Sequence, residues 1–421
     1  LDVPRGKAGW QLALLASSAV ALGSSFAGAL VRIAMQFEST RSAQAFVLRR
    51  KLERRGKVAA SGPVELPESV VRAFSEEPVD SDASIVDRLP DLDGFVADLG
   101  RFQEGGASPG ALVIGESGHG KSTWILAACR RAREKGLRTF LLRPEVRLHE
   151  AEEVDAFLAR GLGLAAVPQD AQAWRQAFRG IGPCLVAIDD VHLIFRRGID
   201  RRAPFRRLVQ RLSDASGSVG LVVTVARHAY DYLAFAERGP HPVFHRTIRL
   251  GRWHEEEIRT PLDRRIELAA VPIRFDLLVE GDEATGTPDL VLRTKEELVR
   301  LVWDYAAGSP RLAIQSFRAA LRPGEEGTLS VALFPRVDAT RLDALTPRQA
   351  WVLAAIVWQG GATTDEVAEI LRGDPLFALE TLRFLASFGA VEEVAGRGYV
   401  VTTPWTLAAR RRLERDHLLL D

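Results

Sequence analysis

The 421-residue chain has no Asn, a single Met (Met35) and two cysteines, Cys129 and Cys184. A chain without Asn cannot contain the Asn-Lys-x-Asp sequence that reads guanine. Two cysteines cannot make a disulfide framework, and both lie in apolar stretches typical of buried thiols, which points to a reducing compartment. Six of the 56 basic residues are Lys and the rest are Arg, a compositional bias that carries no function. Neither sign of charge is in excess: 56 basic against 55 acidic side chains leave a net charge of +1. No whole-chain attraction to nucleic acid follows, and partners have to be argued from local sites. Hydrophobic residues at 47% and charged residues at 26% exclude a chain disordered throughout. At roughly 100–200 residues per domain, the length predicts several units.

Residues 8–31 carry no charge and are long enough to cross a bilayer core of about 30 Å as a helix, so a membrane span is expected there, with a buried helix or a signal peptide as alternatives. Small-xxx-small pairs, Gly23/Ala27 and Ser24/Gly28, suit close helix packing. Basic residues from Arg32 to Lys57 outnumber acidic ones, and the positive-inside rule then keeps everything C-terminal to them in the cytoplasm. The expected localisation is a single-pass protein of the inner (cytoplasmic) membrane, with residues 1–57 as span and basic stalk. Residues 58–93, Pro-punctuated and acidic, read as a mobile linker.

Beyond the linker, short apolar strands at 111–115, 138–142, 185–189, 221–225 and 247–250 alternate with helical stretches. That alternation predicts an α/β fold with a parallel sheet over residues 94–252. Residues 253–325 read as mainly helical. Within residues 340–421, helices at 347–359, 364–371 and 375–388 precede two short strands, 391–394 and 399–402, the pattern of a winged helix.

The strongest chemical signal is Gly115-Glu116-Ser117-Gly118-His119-Gly120-Lys121-Ser122, a GxxxxGK[ST] loop between a predicted strand and a predicted helix. Its glycines let backbone N–H groups face phosphate oxygens, the helix start adds partial positive charge, and the Lys121 ammonium reaches the β- and γ-phosphates. Ser122 is a Mg²⁺ ligand candidate, and Thr123 completes the nucleotide-binding stretch 115–123. His119 is unusual in such a loop and is expected to point away from phosphate. Farther along, Cys184-Leu185-Val186-Ala187-Ile188-Asp189-Asp190 is an apolar strand ending in two carboxylates, a Walker B pattern. Asp189 there orients Mg²⁺ and Asp190 polarises the water that attacks the γ-phosphate. With no guanine-reading sequence, ATP is the nucleotide expected rather than GTP.

These segments, together with 221–227 (LVVTVAR) and 308–313 (GSPRLA), resemble the AAA+ and STAND branches of the P-loop ATPases over roughly residues 91–402. The resemblance implies an ATP hydrolase with a helical lid, and the winged helix after it is similar to the domain order of origin-recognition-type proteins. It further implies that Thr224 senses the γ-phosphate and that Arg311 is a second sensor. Arg246 is implied to act in trans as a finger in a homo-oligomer, with Arg238 and Arg227 as alternatives. The sequence departs from the family pattern at Asp190, where Glu is usual, which leaves the hydrolysis rate open.

Two functions fit. One is a membrane-tethered ATPase switch coupling ATP binding and hydrolysis to oligomerisation and to a protein partner held by the lid or winged helix. The other is a membrane-associated DNA-binding ATPase. The third helix of the winged-helix pattern, with one Arg, one Glu and many Leu and Phe, favours protein contact. Arg397 and the tail arginines Arg410, Arg411, Arg412 and Arg415 favour DNA.

Overall fold

The computed structural model describes residues 38–54, 64–76, 89–196, 202–237, 242–275 and 288–419. It divides into two units, Leu1–Glu76 with Arg252–Arg336, and Glu77–Gly251 with Val337–Asp421. In the second unit, β1 (Gly110–Gly115), β2 (Arg138–Leu142), β3 (Cys184–Ile188), β4 (Gly220–Ala226) and β5 (Arg246–Leu250) form a sheet in the order β2-β3-β4-β1-β5. Every pairing is parallel, with Leu112 of β1 opposite Val223 of β4 and Thr247 of β5. The fold of this unit is α/β, as its apolar runs predict.

Alternation along each strand sends neighbouring side chains to opposite faces. Ala111, Val113, Leu185, Ala187 and Val222 meet Phe95, Leu99, Trp124 and Ile125 from helices Leu92–Gln103 and Lys121–Glu134. Leu112, Ile114, Val186, Ile188 and Leu221 meet Leu158, Trp174, Phe178 and Leu208 from helices Ala151–Gly161, Ala171–Ile181 and Ala203–Ala215. Both faces are covered, so β1 and β3 are buried end to end while the edge strands β2 and β5 are not. Cys129 and Cys184 are both free and buried. Because all five strands run one way, their C-terminal ends line one edge, the edge where parallel α/β sheets hold ligands.

The C-terminal part of the same unit contains helices Pro347–Gln359, Thr364–Leu371 and Pro375–Ser387, an antiparallel hairpin Val391–Val394 with Gly398–Val401, and helix Thr406–Arg415. Capping boxes start the first two of these helices, Thr346 with Gln349 and Thr363 with Glu366. This part is fastened to the sheet by Arg147, whose buried guanidinium donates to the carbonyls of His192 and Phe195 on one side and of Gln359 and Gly361 on the other. Glu366 supplies the counter-charge at 3.1 Å.

The other unit is mainly helical, with helices Glu255–Ala269, Pro288–Ala306 and Pro310–Ala320. A three-stranded sheet, Ile273–Arg274, Leu329–Val331 and Leu321–Pro323, is present where no strand was expected. Two further expectations are corrected here. The segment read as a solvated basic stalk forms helix Glu38–Arg54, in which Ala43, Ala45, Arg49 and Leu52 are buried. Its Arg49 donates to the Phe334 carbonyl and lies over that ring, and its Gln44 accepts from Arg300. The described part of the supposed mobile linker is likewise packed: Phe74 is fully buried and stacks on Phe317, and Arg265 donates to the Ala73 carbonyl.

The single-pass membrane localisation is also corrected. Among the described residues no helix is long and apolar enough to cross a membrane. Helix Glu38–Arg54 has seven charged residues among its seventeen, each costly in hydrocarbon. The uncharged run 8–31 that prompted the expectation lies outside the described residues.

Candidate nucleotide-binding site

β1 ends at Gly115, and the next helix starts at Lys121. Between them the loop curls through Gly118 (φ 79°) and Gly120 (φ 90°), left-handed conformations that favour glycine. No side chain caps the first turn of helix Lys121–Glu134, and that turn holds no acidic residue, so its N–H groups and partial positive charge remain for an anion. Lys121 is 7% exposed and donates to the Glu116 carbonyl at 2.9 Å. His119 is buried within the loop, while Ser117 is exposed and Thr123 half-buried.

Asp189 and Asp190 follow β3, and β4 lies between β3 and β1. Thr224, fully buried on β4, therefore stands between the Walker B carboxylates and the loop. Its hydroxyl donates to Asp189 Oδ1 and accepts the Asp190 N–H at 2.9 Å. Asp190 adopts a left-handed backbone (φ 57°), which turns its carboxylate away from the strand line. Arg143, just past β2, lies 3.0 Å from Asp190 Oδ2, 3.4 Å from Asp189 and 3.5 Å from Ser122 Oγ. Arg397, in the C-terminal hairpin, reaches the same Asp190 oxygen at 3.3 Å.

These neighbours push the two carboxylates in opposite directions. Burial, then the charge of Asp190, raises the Asp189 pKa, against hydrogen bonds from Thr224 and Ser122. Burial also works to raise Asp190, but His192, Lys121 and Arg143 outweigh it and hold that carboxyl well below the usual range. His192 is itself fully buried, which lowers its pKa to about 4, so at neutral pH the cations acting on Asp190 are Lys121 and Arg143. An aspartate held ionised is a weak proton acceptor. It suits orienting water by hydrogen bonding better than abstracting a proton.

The donor set fits a hard cation. Ser122 and Asp189 contribute hydroxyl and carboxylate oxygens in hydrogen-bond contact, and Asp189 is deprived of solvent. Among the described residues no cluster of three His, Cys, Asp or Glu forms a complete metal cage. A metal held here takes its remaining ligands from water and phosphate, the habit of Mg²⁺.

The structure brings Gly115 to Thr123, Asp189, Asp190 and Thr224 together. Arg246 pairs in register with Ala111, at the opposite end of β5 from Leu250, the partner of Gly115. Its guanidinium is held by Asp98 and Asp91, each at 2.6 Å. Within the chain, Arg246 straps helix Leu92–Gln103 to β5. Arg311 lies in the first turn of helix Pro310–Ala320 in the other unit. Of the alternatives, Arg227 lies 3.4 Å from Glu116, and Arg238 is outside the described residues.

No protein-family model matches the chain, and no curated protein matches it. Solved structures similar to it include the Aeropyrum pernix ORC1 protein in complex with DNA, at 16% identity and TM-score 0.43, covering 84% of this chain and 99% of that one. The Aeropyrum pernix ORC2 protein in its ADPNP–ADP complexes is 15% identical with TM-score 0.42, covering 82% and 97%. The Thermotoga maritima RuvB Holliday junction branch migration motor is 14% identical with TM-score 0.31, covering 79% and 96%. Likenesses this distant assign no residue of this chain a role.

Sequence reading missed Arg143, Arg147 and the inward course of Arg397 and Arg410. Arg410 binds Glu116 of the loop and Glu414 of its own helix. Arg412 donates to the carbonyls of Leu342, Asp343 and Leu345, and Arg415 pairs with Asp343. Arg397, Arg410, Arg412 and Arg415, read as part of a DNA-facing set, thus have partners within the chain.

Proposed function

We propose that the chain is a P-loop ATPase of AAA+/STAND type, a switch coupling ATP binding and hydrolysis to self-association and to engagement of a protein partner through its C-terminal winged helix. The observation that carries this reading is the meeting of the glycine loop with Lys121, the Asp189–Asp190 pair and Thr224 at the C-terminal edge of one parallel sheet. In this reading the loop N–H groups and Lys121 hold the phosphates, and Ser122 with Asp189 holds Mg²⁺, which neutralises phosphate charge when bound. Asp190 orients the attacking water, and Thr224 reports the γ-phosphate by its bonds to both aspartates. Arg311 remains the proposed second sensor.

The partner surface is the outer face of helix Pro375–Ser387, where Leu376 is 60% and Phe384 45% exposed, with Trp351 44% exposed on helix Pro347–Gln359. That face presents these large apolar side chains, and Arg397, Arg410 and Arg412 are engaged within the chain, which supports protein contact. The test is purification of the full chain with ATP, ADP or neither, followed by mass measurement and hydrolysis assay. Mg²⁺-dependent hydrolysis with an ATP-dependent change of mass is expected. An unchanged mass sinks the assembly part, and absence of both hydrolysis and binding sinks the whole.

A further inference from the structure

We propose that Arg397 is a phosphate-binding arginine of the nucleotide site, supplied in cis by the C-terminal hairpin to the γ-phosphate side. This rests on the nucleotide reading of the site. Arg397 lies between Gly396 (φ 75°) and Gly398 (φ 71°) at the hairpin turn. A Cβ on Gly398 would come within 2.4 Å of the Ala362 carbonyl and the Thr363 nitrogen, and one on Gly396 within 2.8 Å of Val146. The turn therefore lies flat on its own domain and on the segment after β2, and its one long side chain is aimed at Asp190. Arg147 fixes the same junction from below, and Arg410, from the following helix, touches the glycine loop at Glu116.

The charge arrangement is unbalanced in a useful sense. Lys121, Arg143 and Arg397 converge on Asp189 and Asp190, three cations on two carboxylates. The surplus suits an incoming polyphosphate, and a guanidinium fork matches phosphate oxygens. Arg397 is 31% exposed and shares its Asp190 oxygen with Arg143, so it can change partner without stripping that carboxylate of its cation. During hydrolysis the water oxygen bonds to the γ-phosphorus as the bond to the ADP oxygen breaks, and the proton leaves with inorganic phosphate. Arg397 then faces the oxygens on which charge gathers.

The experiment uses the full chain and its Arg397→Ala, Arg397→Gln and Arg397→Lys variants, with fluorescent ATP and ADP analogues in Mg²⁺ and hydrolysis followed at several protein concentrations. In the Ala and Gln variants ATP affinity should fall about tenfold with ADP affinity nearly unchanged, and hydrolysis should fall by about tenfold or more at every concentration, as expected of a finger acting within one chain. The Lys variant should recover part of both. Equal weakening of ATP and ADP would make Arg397 merely structural, and faster hydrolysis would make it a restraint on Asp190; either overturns the proposal, as does no change. If the Ala variant loses its cooperative melt, the Gln variant decides. A wild-type chain that binds neither nucleotide overturns the nucleotide reading along with this inference, whereas failure at Arg397 alone leaves that reading standing.

Discussion

Thr224 and Asp190 divide one network into separable tasks. Thr224 is fully buried and satisfies both an Asp189 oxygen and the Asp190 N–H. Thr224→Val keeps the shape and removes both bonds, leaving the buried Asp190 N–H to Asp189 Oδ1 alone at 3.1 Å, so a stability loss of about 1 kcal/mol is expected in chemical denaturation. Hydrolysis should fall with it while ADP binding persists, if Thr224 serves as the proposed γ-phosphate sensor. Asp190→Ala should keep Mg·ATP binding and lose turnover in a phosphate-release assay; loss of both would mean that Asp190 and not Asp189 serves the metal. These residues are legible in the sequence because each stands in a contiguous strand-plus-polar pattern. Arg143, Arg397 and Arg410 are not legible, because an arginine's partner is fixed by tertiary placement, across 207 residues for Arg397 and 294 for Arg410, and the chain offers many equivalent arginines.

At the scale of elements, His192 sits in the 3₁₀ turn after Walker B, with its ring against Gly360 and its Nδ1 3.7 Å from Asp190. Burial, with Lys121, Arg147 and Arg397 nearby, lowers its pKa to about 4 against the raising effect of Asp190. The folded value lies below the ordinary 6.5, so as pH falls the unfolded chain takes the proton first. His192 thus opposes unfolding least in acid: stability is lost as pH drops from about 6.5 towards 4, on the order of 3 kcal/mol from this group. Denaturation of wild type and His192→Phe across that range checks it, and the slope should flatten in the variant. Helix Leu92–Gln103 supplies a second element-scale outcome. Arg246→Ala should lower stability by about 1 kcal/mol through lost surface-exposed ion pairs, read as a shift in denaturation midpoint, while the relative affinity for ATP and ADP is retained. Strands and helices of the sheet are legible from their apolar periodicity. The small sheet of the other unit is not, because its strands are only two or three residues long and carry no period.

At the scale of the whole molecule, the C-terminal helices and the sheet share one unit through Arg147. Arg147→Ala removes a buried cation that serves four carbonyls and leaves Glu366 without it, which should cost about 3–5 kcal/mol and separate the melting of residues 337–421 from that of the sheet in calorimetry. The packing of residues 38–54 and 64–76 was misread as stalk and linker because a basic or acidic composition hides the few apolar positions, Leu52, Val70 and Phe74, that bury themselves. The central claim is that the loop ending in Lys121 holds nucleotide phosphate. Calorimetric titration of the full chain with ATP in Mg²⁺, beside the Lys121→Ala variant at equal fold content, tests it most directly. Saturable binding in the wild type and its loss in the variant is the expected result, and equal affinity in both would contradict the assignment.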